Sequence, residues 1–167
     1  MIDKGQAIKM VFLKLGENTV YNDNKSDLYQ VCEVIFDQVV KNLAYSTAFL
    51  FNATSLKLNK VSEKEDTNEY QFNIPIDFLN ILRCRQNYRI ENEFIYSDQD
   101  EIEIQYCRDI PLSEYPDNLF NLLVAMTARE MALAFNTYNK KLELIDNEVM
   151  KLKNDVIAQQ GFQYWGD

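Results

Sequence analysis

Apolar residues recur along this chain with two different periods, and the changes of period divide it into three stretches. In the first, Ala7, Ile8, Val11, Phe12 and Leu15 share one face at helical spacing and predict a helix over 1–15. Asp3 and Gln6 resemble a capping pair at its start, and Gly16 can end it with a positive φ. The polar segment 17–25 reads as a loop. A second helix starts at Ser26 or Asp27, with Leu28, Val31, Cys32, Ile35, Val39 and Leu43 as its expected inward face.

After Tyr45 the period falls to two. The segment 49–61 looks extended, with Leu56 and Leu58 alternating against Lys57 and Asn59. A charged loop is expected over 62–68. Tyr70, Phe72 and Ile74 then alternate with Glu69, Gln71 and Asn73, as on a half-buried strand that Pro75 ends. A short strand near 81–85 precedes a hairpin with arms 88–90 and 94–96, turning around Glu91-Asn92. Asparagine tolerates left-handed geometry, so Asn92 can stand where a tight turn prefers glycine. Beyond a turn near Ser97-Asp98, Ile102, Ile104 and Tyr106 face one way and Glu101, Glu103 and Gln105 the other.

Pro111 and Pro116 mark the return to helix. From Asn118 to about Phe135 the chain is apolar on most sides, through Phe120, Leu122, Leu123, Val124 and Met126. Such a helix must be buried nearly all round, in a bundle centre or against a neighbouring copy. A break near Asn136-Thr137 precedes a last helix in which Leu142, Ile145, Val149, Leu152 and Val156 recur in threes and fours. The order predicts an α+β fold: a discontinuous helical bundle of two N-terminal and two C-terminal helices, with an antiparallel β lobe inserted between them. We divide 1–167 as a single domain with a helical lobe 1–46 plus 114–160, a β lobe 47–113, and an aromatic tail 161–167. Gly161 is expected to end the last helix. Phe162, Tyr164 and Trp165 after it are the candidate partner-binding residues, because aromatic anchors concentrate interface energy.

Composition changes this picture mainly by subtraction. There is no histidine among the 167 residues, which removes the usual base near neutral pH and the commonest metal ligand. The four glycines, Gly5, Gly16, Gly161 and Gly166, lie near the ends, so no glycine-rich phosphate loop is present. Glu91, Glu93, Asp98, Asp100, Glu101 and Glu103 form the densest acidic stretch. Its spacing fits no calcium loop, and a solvated hairpin face is the expectation. We therefore expect no catalytic residues, no cofactor and no bound metal. Cys32, Cys84 and Cys107 are far apart and read as reduced thiols of a protein made in a cytoplasm. The N-terminus lacks the apolar core of a signal peptide, and no stretch suggests a membrane span. The formal charge of −9 argues against a binder of phosphate backbone and suits a wall that DNA passes without sticking.

Several local strings carry a resemblance. Ile74-Pro75-Ile76-Asp77-Phe78-Leu79-Asn80-Ile81-Leu82-Arg83 combines a proline–aspartate turn with the strand it leads into. Tyr88-Arg89-Ile90-Glu91, Ile95, Asp98 and then Glu101-Ile102-Glu103-Ile104-Gln105-Tyr106 supply a hairpin and a strand ending in tyrosine. Pro116 and an alanine-dotted helix with Ala125, Ala128, Arg129, Glu130, Met131 and Ala132 follow. In this order the chain resembles the podoviral tail tubular protein A family, the head-to-tail adaptors of short-tailed phages. Phe49 and Asn92 depart from it, standing where tryptophan and glycine are common. The resemblance implies a virion structural protein, not an enzyme. It would form a homo-oligomeric, dodecameric ring between the portal protein and a tail nozzle or second ring protein, with DNA passing through the lumen. The competing reading is an acidic inhibitor that mimics DNA. Such a mimic spaces carboxylates along exposed helices, whereas the acidic density here falls on predicted strands.

Overall fold

The computed structural model describes residues 3–17, 26–46, 49–64 and 67–164, with the backbone alone at 137 and 160–164. Among these residues four α-helices and seven strands follow one another as two helices, the strands, then two helices, in an α+β fold. The chain divides into a helical unit, Met1–Phe51 with Pro111–Asp167, and a β unit, Asn52–Ile110.

In the helical unit α1 spans Lys4–Leu15, and its first turn is capped by Asp3, whose Oδ1 accepts from the Gln6 N–H at 2.8 Å. Gly16 takes φ 82°, which lets the Glu17 N–H reach back to the Phe12 carbonyl at 2.9 Å. A Cβ on Gly16 would meet only the flexible end of the Lys141 side chain, so it is the left-handed backbone that favours glycine here. Helix α2 spans Asp27–Ala44 and is capped by Ser26, which accepts from the Tyr29 N–H at 3.2 Å.

The buried stripe of α2 is Cys32, Phe36, Val39 and Leu43. This corrects the sequence expectation: Val31 is exposed, Leu28 and Ile35 are only half-buried, and Phe36 takes the central place. Steps of four, three and four residues from Cys32 follow the helical period along one line, whereas Leu28, Val31 and Ile35 lie on its flank.

Helix α3 spans Asp117–Ala134 and is the centre of the bundle, packed by α1, α2 and α4. Leu122, Leu123, Val124, Ala125, Ala128, Met131 and Ala132 are wholly buried. Of the two settings open to so apolar a helix, the bundle centre is the one found. Its single buried hydroxyl is satisfied, Thr127 Oγ1 donating to the Leu123 carbonyl at 2.9 Å. Each fully buried Leu, Ile or Phe contributes roughly 1.5–3 kcal/mol, against about 1 kcal/mol for a cap. Packing on α3 therefore holds the halves of the bundle together, and caps set where each helix begins.

Helix α4 spans Asn139–Tyr164 and buries Ile145, Val149 and Val156 against α3. The expected stop at Gly161 is not found, since the helix runs through it to Tyr164. A glycine inside a helix costs about 1 kcal/mol relative to alanine and does not by itself end it.

The β unit is two antiparallel sheets. Strands β1 (Ala53–Asn59), β7 (Glu101–Arg108) and β4 (Phe78–Cys84) form one, in the order β1-β7-β4. Strands β2 (Ser62–Lys64), β3 (Glu69–Asn73), β6 (Phe94–Ser97) and β5 (Arg89–Glu91) form the other, in the order β2-β3-β6-β5. Phe72 and Ile95 of the second sheet meet Ile102, Ile104 and Tyr106 of the first in a shared core. This is the period-two pattern realised face to face.

Asn92 turns the β5–β6 hairpin at φ 56°. The charged stretch expected as a loop instead supplies β2, paired antiparallel to β3. Edge strands tolerate charge because one side of their backbone faces water, so composition alone misleads there. At the start of the extended segment, Phe49 is buried and the Phe51 ring lies 4.7 Å from that of Tyr115, so the first strand begins only at Ala53.

Candidate interaction surfaces

The acidic stretch does not converge. Glu91 lies on β5, Glu93 in the hairpin turn, Asp98 and Asp100 in the bend before β7, and Glu101 and Glu103 on β7 itself. The two sheets thus divide the carboxylates, and two of them are paired, Glu101 with Lys57 at 2.5 Å and Glu91 with Arg89. Among the described residues no three His, Cys, Asp or Glu side chains group so as to hold a metal. Also among the described residues, no helix is long and apolar enough to cross a membrane.

One cation is built into the outer face of the second sheet. Tyr96 stands beside Gln71 on one neighbouring strand and Arg89 on the other, an alternation that puts all three on the side away from the core. The Arg89 guanidinium lies 4.3 Å from the Tyr96 ring centroid, and Lys64 Nζ lies 4.4 Å from it. Arg89 donates from Nε and Nη2 to the two oxygens of Glu69, at 3.1 and 2.7 Å. These bonds hold the Glu69 carboxyl below its usual range, and the bond from Arg89 does the same for Glu91. A shallow pocket of about 280 Å³ lies beside Arg89, Tyr88 and Asn87. With its cation already engaged by two carboxylates, this cluster fastens strands rather than presenting chemistry.

The turn before β4 has a different character. The Phe78 N–H closes it on the Pro75 carbonyl at 3.1 Å, and the Asp77 carbonyl accepts from the Asp109 N–H at 2.7 Å. The Asp77 side chain is held as well, accepting from the Tyr106 hydroxyl at 3.0 Å, with Arg108 Nη1 4.0 Å away. Burial first, and then this bond to Asp77, raise the Tyr106 pKa. At the tip of so well-fixed a turn Ile76 is 105% exposed. Single exposed apolar residues are ordinary, but an isoleucine wholly in water on a tied-down turn is a ready anchor. Sequence reasoning marked the Pro75–Asp77 string and missed Ile76. The available signal was a branched aliphatic placed between the two turn residues, outside the strand alternation.

Among the described residues a groove lies on each side of the exposed stripe of α3. Between α2 and α3 a groove of about 410 Å³ is lined by Ile35, Val39, Leu133 and Ala134, with Gln38, Asn42 and Glu130 at its rim. Between α3 and α4 a groove of about 510 Å³ has Met126, Val149 and Met150 as its apolar wall. Arg129 crosses this second groove, donating to Asp146 at 2.5 Å and to Glu130 at 3.0 Å, and Lys153 lines the same groove. Exposed Leu133 and Met150 mark the two grooves as the apolar part of this surface.

Of the sequence-derived partner residues, Phe162 and Tyr164 belong to the last turns of α4, where only the backbone is described, and Trp165 lies outside the described residues. The three thiols are free. Burial pushes the Cys32 pKa up to about 12 and raises that of Cys107, which makes both poor nucleophiles. No protein-family model matches the chain, and no curated protein matches it.

Proposed function

We propose that this protein is a structural head-to-tail adaptor of a short-tailed phage. It forms a dodecameric ring that joins the portal protein to a tail nozzle or second ring protein and continues the DNA channel. The observation that carries this reading is the coincidence of architecture with the resembling strings. The helices at both ends of the sequence make one bundle around α3, with an antiparallel β unit inserted, and the Pro–Asp turn, the hairpin and the strand that carries Tyr106 fall in order within that insertion. The dispersal of the carboxylates supports a structural role over a catalytic one. The formal charge of −9 suits a lumen that DNA slides through, because a phosphate backbone gains nothing from a surface without excess cations.

Assembly on the portal is the function to test. Purified chain mixed with portal rings, followed by sedimentation velocity and light scattering, should give a species larger than the portal ring by several copies of this chain. A chain that stays separate from the portal at every ratio would overturn the adaptor reading. Inhibition of a DNA-binding enzyme at equimolar chain would favour the mimic instead.

A further inference from the structure

We propose that the turn carrying Ile76 in one copy docks in the groove between α3 and α4 of a second copy, with Asp109 set against Lys153. The inference rests on the ring reading above and names the contact between neighbours in that ring. Three observations carry it.

The first is the state of the anchor. Ile76 is 105% exposed, and its turn is fixed by the bonds to Pro75, Asp77 and Tyr106. Docking it removes apolar surface from water while ordering little that folding has not already ordered.

The second is the receptor. The groove of about 510 Å³ has room for a branched aliphatic chain. Its wall of Met126, Val149 and Met150 suits an incoming side chain, because methionines repack around irregular shapes. Met150 is 64% exposed in the single chain, so the groove has surface to bury too.

The third is charge. Arg129 is already engaged by Asp146 and Glu130, whereas Lys153 makes no ion pair among the described residues. Asp109, whose N–H is bonded to the Asp77 carbonyl beside Ile76, is exposed and likewise makes none. A carboxylate next to the anchor and an ammonium in the receiving groove are therefore left with opposite sign. Such a pair sets register more than affinity. It also separates the two grooves of the bundle. The one between α2 and α3 has Gln38, Asn42 and Glu130 at its rim and no cation for Asp109, whereas the one between α3 and α4 sets Arg129 and Lys153 beside Glu130 and Asp146.

Anchor and groove are different parts of one chain, so in the ring reading their contact is head-to-tail, each copy offering its turn to one neighbour and its groove to the other. Repeated from copy to copy, such a contact closes a ring or extends a filament, whereas a two-fold pair would stop at two.

The test uses the full chain, alone and on portal rings, with sedimentation velocity over a wide concentration range. The parent should show contact between copies. Ile76→Asp should weaken it by about tenfold or more, as for a buried apolar anchor replaced by a charge. Its melting temperature should equal the parent's, since so exposed a side chain supports nothing in its own chain. Asp109→Lys and Lys153→Glu should each weaken association, and the double variant Asp109→Lys/Lys153→Glu should recover most of it. Association of Ile76→Asp equal to the parent's overturns the proposal, as does a double variant weaker than either single one. A parent that shows no contact between copies, alone or on portal rings, also overturns it, and portal binding in that experiment leaves the adaptor reading standing. Self-association lost in Ile76→Asp, in a chain that never binds the portal, does the reverse.

Discussion

Arg89 joins three strands through one guanidinium: it sits on β5, covers Tyr96 of β6 and bonds Glu69 of β3. The bonds it donates hold Glu69 and Glu91 below the ordinary carboxylate range. Unfolded glutamate titrates near pH 4.3, at about its reference value. The stabilisation from this cluster is therefore fully present above that pH and is lost as pH falls through the depressed folded values. Arg89→Met keeps an aliphatic cover on Tyr96 and removes the charge, so both glutamates should return toward their usual range. Thermal melts in a pH series from 7 to about 3 should then fall less steeply for the variant than for the parent below about pH 4.3. Parallel curves would mean that Arg89 is not what holds these carboxylates ionised. Nothing in the sequence showed this cluster, because it depends on which strands become neighbours, and β3 meets β6 across two intervening strands, β4 and β5. Asn92 was legible for the opposite reason. Its left-handed φ is a local demand of a two-residue turn between alternating arms, and asparagine is among the few residues that meet it.

At the scale of elements, the hydrophobic period placed α1, α3 and the inward faces of β3 and β7, since one face of each of these elements is buried, or most of the surface in α3. It rotated α2 wrongly. Val31 and Ile35 are as apolar as the true core residues, and only packing on α3 shows that the line through Cys32, Phe36, Val39 and Leu43 is the buried one. Mutation separates the two lines. Phe36→Ala removes a ring that is 1% exposed and should cost about 3–5 kcal/mol in a urea titration. Val31→Ala trims a side chain on a residue that is 38% exposed and should stay within about 0.5 kcal/mol of the parent. Equal losses at the two positions would put α2 in a different rotation. The strand β2 was illegible because its residues are those of a loop. It is made by pairing with β3, and Lys64 lying over Tyr96 gives its cation a place. Gly161 misled in the other direction, because a permissive residue ends a helix only where the chain turns.

For the whole molecule, the α+β architecture was legible because the two periods are segregated along the chain, but the surfaces that matter for assembly were not. A fully exposed Ile76 and a groove walled by Met126 and Met150 exist only once turn and bundle have formed. The fold also offers a way to separate anchor from groove. The β unit leaves and rejoins the chain on paired strands: Ala53 stands opposite Cys107, and the Arg108 N–H donates to the Asn52 carbonyl at 2.9 Å. Paired strands lie about 5 Å apart, so a linker of a few Gly and Ser residues can replace 52–110 without pulling on either end. The four helices keep α3 as their common core, so the shortened chain should remain helical by circular dichroism and melt cooperatively. It would then hold the α3–α4 groove and lack Ile76 and Asp109. In a head-to-tail assembly such a piece accepts a neighbour but offers nothing to the next, so it caps the chain of contacts. Titrated into the full-length protein, it should shift large species toward small ones in sedimentation velocity. The same piece carrying Lys153→Glu should cap more weakly, because it repels the incoming Asp109. If the shortened chain folds and leaves the assembly unchanged at several-fold excess, the groove it carries is not where neighbouring copies meet.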